Sequence, residues 1–364
     1  MHRTSPECEG FRLIYYLVTK EHDYTIRSFL STWGKSLKPY LKVMSYETLF
    51  RKPRLSAATY IFSDIERLTE SDAQTAALIV TALGDQWGAS IQMLNHPTVS
   101  MTRYELLRRL HSEGVNDFNV YRLTEALIPE RFPVFIRNED DHEGSLSELM
   151  ETPEALFAAI RDIETRGVSR RNKMITEYCD TSDSDGIFRK YSCFCLAGEI
   201  IPRHVCFGRH WMLKYPELTG PEQTREEMDF VQSNPHERQI REIFALARID
   251  YGRIDYSFKN GRIQVWEINT NPGLVSFLSA GVSERLPLHE AFLENFTRVM
   301  RKIDRQESKE KMANPAYRVL RSGRLTRRMK NWSMSTLYTL PVSISAKARL
   351  LNRLVAFKRR MFQE

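Results

Sequence analysis

Three features of this 364-residue sequence predict a mixed α/β and α+β architecture. Short β-branched and aromatic runs alternate with helical patterns over about the first hundred residues. Near the end of the body, two strand-like arms flank the turn signal Asn260-Gly261. The composition is 42 % apolar and 27 % charged, that of a folded chain with a core rather than a disordered or disulfide-stapled one. The expected order is a small α/β unit over residues 1–94, a larger body over 95–303 and a basic, partly helical extension over 304–364.

Leu13 to Val18, apolar and aromatic throughout, is the first expected strand, and Ile26 to Trp33 has helical spacing within the mixed stretch 24–41. Ala58 to Phe62 reads as a second strand and the alanine-rich Asp72 to Leu83 as a helix, so the first unit closes near Pro97. Thr102 to Leu110 is a short helix with Leu106, Leu107 and Leu110 on one side. Phe132 to Arg137 is strand-like, with Val134 and Ile136 on a shared face and Pro133 tolerated near its start. Helical spacing resumes from Leu146 to Arg161 through Leu149, Leu156 and Ile160. Met174 to Tyr178 is a strand before the loop Asp180 to Gly186, and two further strands, Tyr191 to Leu196 and Glu199 to Cys206, join at Ala197-Gly198. Glu237 to Ala247 is a helix, Gly252 to Asn269 a hairpin, and Leu286 to Ile303 a helix carrying Leu293, Phe296 and Met300.

Charge is unevenly placed. Residues 301–364 hold 17 Lys or Arg against 4 Asp or Glu, a local net of +13, which leaves −6 on residues 1–300. The overall +7 therefore belongs to the tail, and no sequence-specific nucleic-acid binding is expected of the body. Five cysteines, an odd number with no CxxC pair, point to reduced thiols and a cytoplasmic setting. Neither a secretory leader nor a membrane span is expected: the longest apolar-looking run, Ala76 to Leu83, is far below the roughly 18–20 residues a spanning helix needs.

The strongest chemical signal is the pair of arms Gly252-Arg253-Ile254-Asp255-Tyr256 and Ile263-Gln264-Val265-Trp266-Glu267-Ile268-Asn269-Thr270-Asn271-Pro272-Gly273. Side chains two apart on a strand share a face, so Glu267 and Asn269 point one way and Trp266 and Ile268 the other. A carboxylate beside an amide oxygen is a hard-oxygen donor set suited to magnesium. Whether Asp255 joins them depends on register. A two-residue Asn-Gly loop sets Asp255 opposite Trp266; a loop one residue longer, 260–262, sets it opposite Glu267 and sets Arg253 opposite Asn269. The longer loop is expected, because it gathers the three oxygen donors on one face.

These segments resemble the ATP-grasp superfamily of carboxylate–amine ligases, which includes D-alanine–D-alanine ligases and glutathione synthetases. The resemblance spans about residues 95–300, with 1–94 as the preceding α/β domain, and is most specific over 252–273. It implies an ATP-grasp fold, ATP and Mg2+ as cofactors, and Asp255, Glu267 and Asn269 as metal ligands, with Arg253 steadying the reacting phosphoryl group. Arg103, after Asn95-His96-Pro97 and Thr102, and Arg137, on the strand from Phe132, fall where the family carries phosphate-binding lysines. Arginine keeps the charge there but offers a planar fork in place of a compact ammonium. The segment Asp140 to Ser145, with Gly144, takes the place of a loop that closes over the phosphates. Ile175 to Asp180 resembles the hinge that holds adenine, through Glu177, the backbone of Cys179 and Asp180 at the ribose. Arg203 and Lys214, between hinge and metal strand, are further anion contacts. No Cys or His set has metal-site spacing or specifies a nucleophile.

The implied reaction is transfer of the ATP γ-phosphoryl to a substrate carboxylate, then attack of an amine on the acyl phosphate. Two alternatives keep the nucleotide: a small-molecule kinase, and a non-catalytic nucleotide-binding or scaffolding protein, the latter favoured by arginine at both lysine positions. In the tail, Leu350, Leu354, Phe357 and Met361 recur at helical spacing among Lys347, Arg349, Arg353, Lys358 and Arg359. Such a basic amphipathic stretch suits docking on the acidic body, contact with an anionic membrane surface or protein partner, or a nucleic acid.

Overall fold

The computed structural model describes residues 13–125, 128–141, 144–275, 285–304 and 310–320. The acidic loop residues His142 and Glu143 and the amphipathic stretch 347–361 lie outside them. In chain order the elements are β1 (Ile14–Val18), α1 (Tyr24–Ser31), β2 (Leu41–Ser45), α2 (Tyr46–Arg51), β3 (Arg54–Ser56), β4 (Thr59–Phe62), α3 (Glu70–Trp87) and β5 (Met93–Leu94). There follow α4 (Arg103–Ser112), β6 (Val120–Arg122), β7 (Val134–Asn138), α5 (Pro153–Thr165) and β8 (Lys173–Glu177). The remainder is β9 (Phe188–Leu196), β10 (Glu199–Gly208), α6 (Pro221–Ser233), α7 (Glu237–Ala247), β11 (Tyr251–Lys259), β12 (Arg262–Asn269), α8 (Leu286–Ile303) and β13 (Lys311–Ala313).

The architecture is mixed α/β with several sheets. The first unit is a four-stranded parallel sheet of order β2-β1-β4-β5. Every residue of β1 and β4 is buried, as expected of parallel strands covered on both faces. Strand β2 and helix α2 fall where the sequence showed no clear period. Leu41–Ser45 is only two-fifths buried, and α2 is six residues long, so neither carries enough apolar positions to announce itself.

The body holds two antiparallel sheets, three-stranded β6-β8-β7 and four-stranded β10-β9-β11-β12. Helix α4 opens with a capping box: Thr102 accepts from the amide of Glu105, whose carboxylate accepts from the amide of Thr102. Helix α5 starts later than the Leu146 spacing predicts. Thr152 caps it and Pro153 occupies its first turn, while Met150 instead bridges to Val134 of β7. One face of the larger sheet, with Cys193, Cys195, Ile254, Tyr256, Val265 and Ile268, packs on α7 through Ile240, Ile243, Phe244 and Ala247. The other face meets α8 and the first unit at one end, through Phe194, Tyr251, Phe292 and Phe296, and opens into a cleft at the other.

The extension does not begin as a separate element. β13 pairs antiparallel with β3, and the side chain of Asn314 donates to the carbonyls of Leu49 and Lys52, so residues 311–316 belong to the first unit. Cys179, Cys193, Cys195 and Cys206 are free and buried. Among the described residues no helix is long and apolar enough to cross a membrane.

Candidate active site

The β11–β12 hairpin sets the chemistry. Its loop is the tight two-residue turn Asn260-Gly261, both residues at positive φ, and Lys259 pairs with Arg262. From that turn the two-residue register runs up to Tyr256 opposite Val265 and then shifts, so that Asp255 faces Glu267 and Arg253 faces Asn269. The expected pairing of the acids is present, but its cause differs from the expected longer loop. Trp266 is an extra residue, a bulge that advances β12 by one position.

The bulge also moves Trp266 off the apolar face. Its indole donates Nε1 to Ser257 Oγ (2.9 Å), stacks on Phe118 at 5.1 Å between centroids and lines the cleft beside Glu267. Val265 and Ile268 keep the apolar face. Across the four strands, His204, Ser192, Asp255 and Glu267 stand in one register row.

Each carboxylate of that row is held by cations. One oxygen of Glu267, Oε2, accepts from Arg137 Nη2 at 2.6 Å and pairs with Arg103 Nη2 at 2.9 Å. Arg103 reaches it from the first turn of α4 and also donates Nη1 to the carbonyls of Asn138 (2.9 Å) and Asp141 (2.6 Å). Burial and the neighbouring Arg137 lower its pKa to about 10, which leaves it charged at neutral pH. Asp255 accepts from Ser192 Oγ (2.7 Å) and Arg253 Nε (3.0 Å), with Lys190 Nζ at 3.7 Å. Arg253 also donates to the carbonyl of Gly273. Asn269 Oδ1 accepts from the amide of Asn271, which fixes the strand exit.

An open cleft lies over the Asp255–Glu267 end of this row, between the two antiparallel sheets. Its walls are unlike each other. Phe135, Tyr178, Trp211 and Trp266 form an aromatic part, with Trp211 packed 4.9 Å from Phe135; Arg137, Lys190, Lys214, Asp255 and Glu267 form a charged part. A flat apolar group joined to a polyanion matches such a cleft.

The expected site residues divide. Arg137, Cys179, Lys214, Asp255 and Glu267 line the cleft, Arg103 and Arg253 adjoin them through the ion pairs above, and Asn269 stands opposite Arg253 in the register. Three lie elsewhere. The Glu177 carboxylate is taken up by the amide of Asn119, Tyr121 Oη and the amide and guanidinium of Arg131, so it ties β8 to the segments before β6 and β7. Asp180 is exposed and caps its own turn by accepting from the amide and hydroxyl of Ser182. Arg203 is buried under α8, where it donates to the carbonyl of Leu274, contacts His289 Nδ1 and lies over the Phe292 ring. Burial and the nearby Arg285 and Arg253 lower its pKa to about 10. Burial raises the Cys179 thiol to about 11, so it stays protonated, and only its backbone is suited to ligand contact.

As a metal site the donors fit magnesium in kind: two directly opposed carboxylates and an amide oxygen two residues along. Among the described residues no three His, Cys, Asp or Glu side chains converge as a cage, so a metal here would share its coordination with water and ligand oxygens.

No family model matches the sequence, and no curated protein matches it. Among solved structures the chain is similar to D-alanine–D-alanine ligase from Bacillus anthracis, at 14 % identity and TM-score 0.43 over 80 % of this chain and 99 % of that one. It is similar to the same enzyme from Coxiella burnetii, at 12 % identity and TM-score 0.44 over 80 % and 97 % of the two chains. It is also similar to a RimK-domain ATP-grasp protein from Sphaerobacter thermophilus, at 13 % identity and TM-score 0.42 over 77 % and 98 %. The likeness to these proteins is distant, and the chemistry of the cleft rests on its own side chains.

Proposed function

We propose that the protein is an ATP- and magnesium-dependent ligase that joins a carboxylate to an amine through an acyl phosphate. The observation that carries this reading is the convergence of Asp255 and Glu267, by way of the bulge, with Arg137 and Lys190 at the charged end of an aromatic-walled cleft, backed by Arg103 on Glu267 and Arg253 on Asp255. Adenine lies among Phe135, Trp211 and Trp266, with the backbone at Tyr178 and Cys179 along its edge, and the phosphates run toward Glu267. Asp255, Glu267 and Asn269 would hold magnesium, which when bound would supply positive charge to the phosphate oxygens. Arg137 and Arg103 orient the phosphate oxygens, and Arg253, 3.0 Å from Asp255, faces the charge that grows as the phosphoryl moves to the acceptor. The first unit meets the strand exit, where Asn271 Oδ1 accepts from Tyr16 Oη and Thr25 Oγ1, so that unit holds the metal strand in place.

The test is ADP release measured over a panel of acids and amines. The ligase reading expects release that requires one member of each class. Release with a single acceptor and a phosphorylated product would make the protein a kinase, and tight nucleotide binding with no release would make it a binding protein. In whichever assay turns over, Glu267→Gln is expected to lower the rate by at least about 100-fold, the scale of removing a charge that acts on the transition state. Wild-type turnover by that variant would remove the site from the reaction.

A further inference from the structure

The first unit carries a cationic groove away from the cleft, beside its edge strand β2. Lys42 on β2, Lys52 just past α2, Arg54 on β3 and Lys311 on β13 line it around Tyr15, and no acidic residue does. Lys311 arrives there only because the chain returns to pair β13 with β3. Lys52 Nζ donates to Tyr15 Oη (3.3 Å), and Lys42 and Lys52 stand 5.9 Å and 4.8 Å from the centre of that ring. Among the described residues none of the four cations pairs with a carboxylate. An adjoining groove shares Lys42 and adds Lys20, Arg27 and Arg51 against Asp23 and Glu47, with Arg27 already on Asp23. The two grooves thus gather seven Lys or Arg against two acids, whereas residues 1–300 as a whole carry a net charge of −6.

The sign of this charge selects the occupant. The 44 residues after Leu320 hold eleven Lys or Arg and one acid, so like charge keeps that stretch out of the grooves, and both call for an anionic partner. The partner's kind follows from two further observations. Tyr15, the aromatic ring of the groove, is buried and stacked on Tyr60, so it is not offered to the bases of a nucleic acid. The sequence after Leu320 sets Leu350, Leu354, Phe357 and Met361 at helical spacing among its cations, a pattern that suits the boundary between lipid headgroups and acyl chains. A polybasic surface beside a basic apolar segment supplies the two signals that stable attachment to a bilayer requires. We infer that the face of the first unit bearing Lys42, Lys52, Arg54 and Lys311 docks on an anionic membrane surface. The inference concerns this face alone and stands or falls apart from the nucleotide site.

Sedimentation of the full chain with phosphatidylcholine vesicles, with and without about 30 % phosphatidylserine, reads the contact. Binding is expected to be at least about tenfold stronger on the anionic vesicles and to weaken as salt is raised from about 50 to about 300 mM. Lys42→Glu/Arg54→Glu changes two exposed positions and is expected to lose about tenfold or more on the anionic vesicles. Lys42→Gln/Arg54→Gln should lose less, and circular dichroism of both variants separates loss of docking from loss of the fold. A folded charge-reversal variant that binds as wild type overturns the docking face and leaves any binding to the segment after Leu320. Equal binding to the two kinds of vesicle overturns it as well, since charge would then play no part. A chain that ignores both vesicles but binds duplex DNA would make the face a nucleic-acid surface and overturn the membrane assignment.

Discussion

His204 stands at the outer end of the register row that carries Ser192, Asp255 and Glu267, and its surroundings decide its charge. Burial, and then the nearby Arg203, Arg253 and Lys190, hold its pKa well below the ordinary 6.5 of histidine. The folded chain therefore keeps His204 neutral at pH values where the unfolded chain protonates it. Below about pH 6.5 the unfolded state binds the extra proton, so the contribution of this residue to stability is complete above that pH and is lost as the pH falls below it. Denaturant midpoints taken between pH 7.5 and 5 should decline with acidification, and His204→Gln should flatten part of the decline. A slope identical in the two proteins would mean that His204 titrates as freely when folded as when unfolded. At this scale the sequence displayed Asp255 and Glu267, because strand alternation places acids on a face without any knowledge of the rest of the fold. It could not display the occupation of Glu177 by Arg131 and Tyr121, since those partners come from 46 and 56 positions away. Lys190 and Trp211 were missed for the same reason: only the packing of β9 and of the loop after β10 over the hairpin brings them to the cleft.

Among elements, the β11–β12 hairpin depends on its turn. Asn260 and Gly261 have φ of 50° and 76°, the double positive pattern that matches the twist of the two strands. A Cβ at Gly261 would meet nothing within 4 Å, so Gly261→Ala carries a conformational cost and no steric one. The variant should lose about 1 kcal/mol of stability, read as a lower denaturant midpoint with an unchanged slope. If the midpoint did not move, the turn would not be the two-residue type seen here. Hairpin strands were legible from alternation and the Asn-Gly pair, but the bulge was not. A bulge leaves no composition signal, and a period-two reading places Trp266 on the apolar face when it in fact lines the cleft with its ring stacked on buried Phe118. The longer loop and the bulge predict the same partner for Asp255, which is why the pairing was foreseen and its origin was not. The helices α7 and α8 coincide with their periodic segments because each lays a continuous apolar stripe on the large sheet. Short β3, β5, β6 and β13, of two or three residues each, offer no period to detect and exist only through their partners.

For the molecule as a whole, the chain returns to its beginning after finishing the body. Thr59 Oγ1 of β4 donates to the carbonyl of Ile303 at the end of α8, and a few residues later β13 adds to the edge of β3. Asn314 fixes this return. It is fully buried, donates to the carbonyls of Leu49 and Lys52 at 2.8 Å each, and accepts from the amide of Ala316, itself buried. The Leu49 carbonyl lies in the last turn of α2, where it also accepts from the amide of Lys52, and the Lys52 carbonyl is just past it, so the side chain caps α2 from 262 or more positions away. Asn314→Ala would strip the Lys52 carbonyl of this donor and leave the Leu49 carbonyl only the Lys52 amide, a loss of about 1–3 kcal/mol. A chain cut after residue 309 should show a loss at least as large, because it also strips the β3 edge and the contact of Met312 with the first unit. A chain cut after residue 320 keeps Asn314 and β13 and should hold its midpoint. The basic charge of the tail and the strand that anchors its root are thus separable: salt titration of the three proteins should shift them together if packing at Asn314 dominates, whereas a salt-sensitive loss confined to the shorter truncation would assign the anchoring to the charge of residues 310–320 instead.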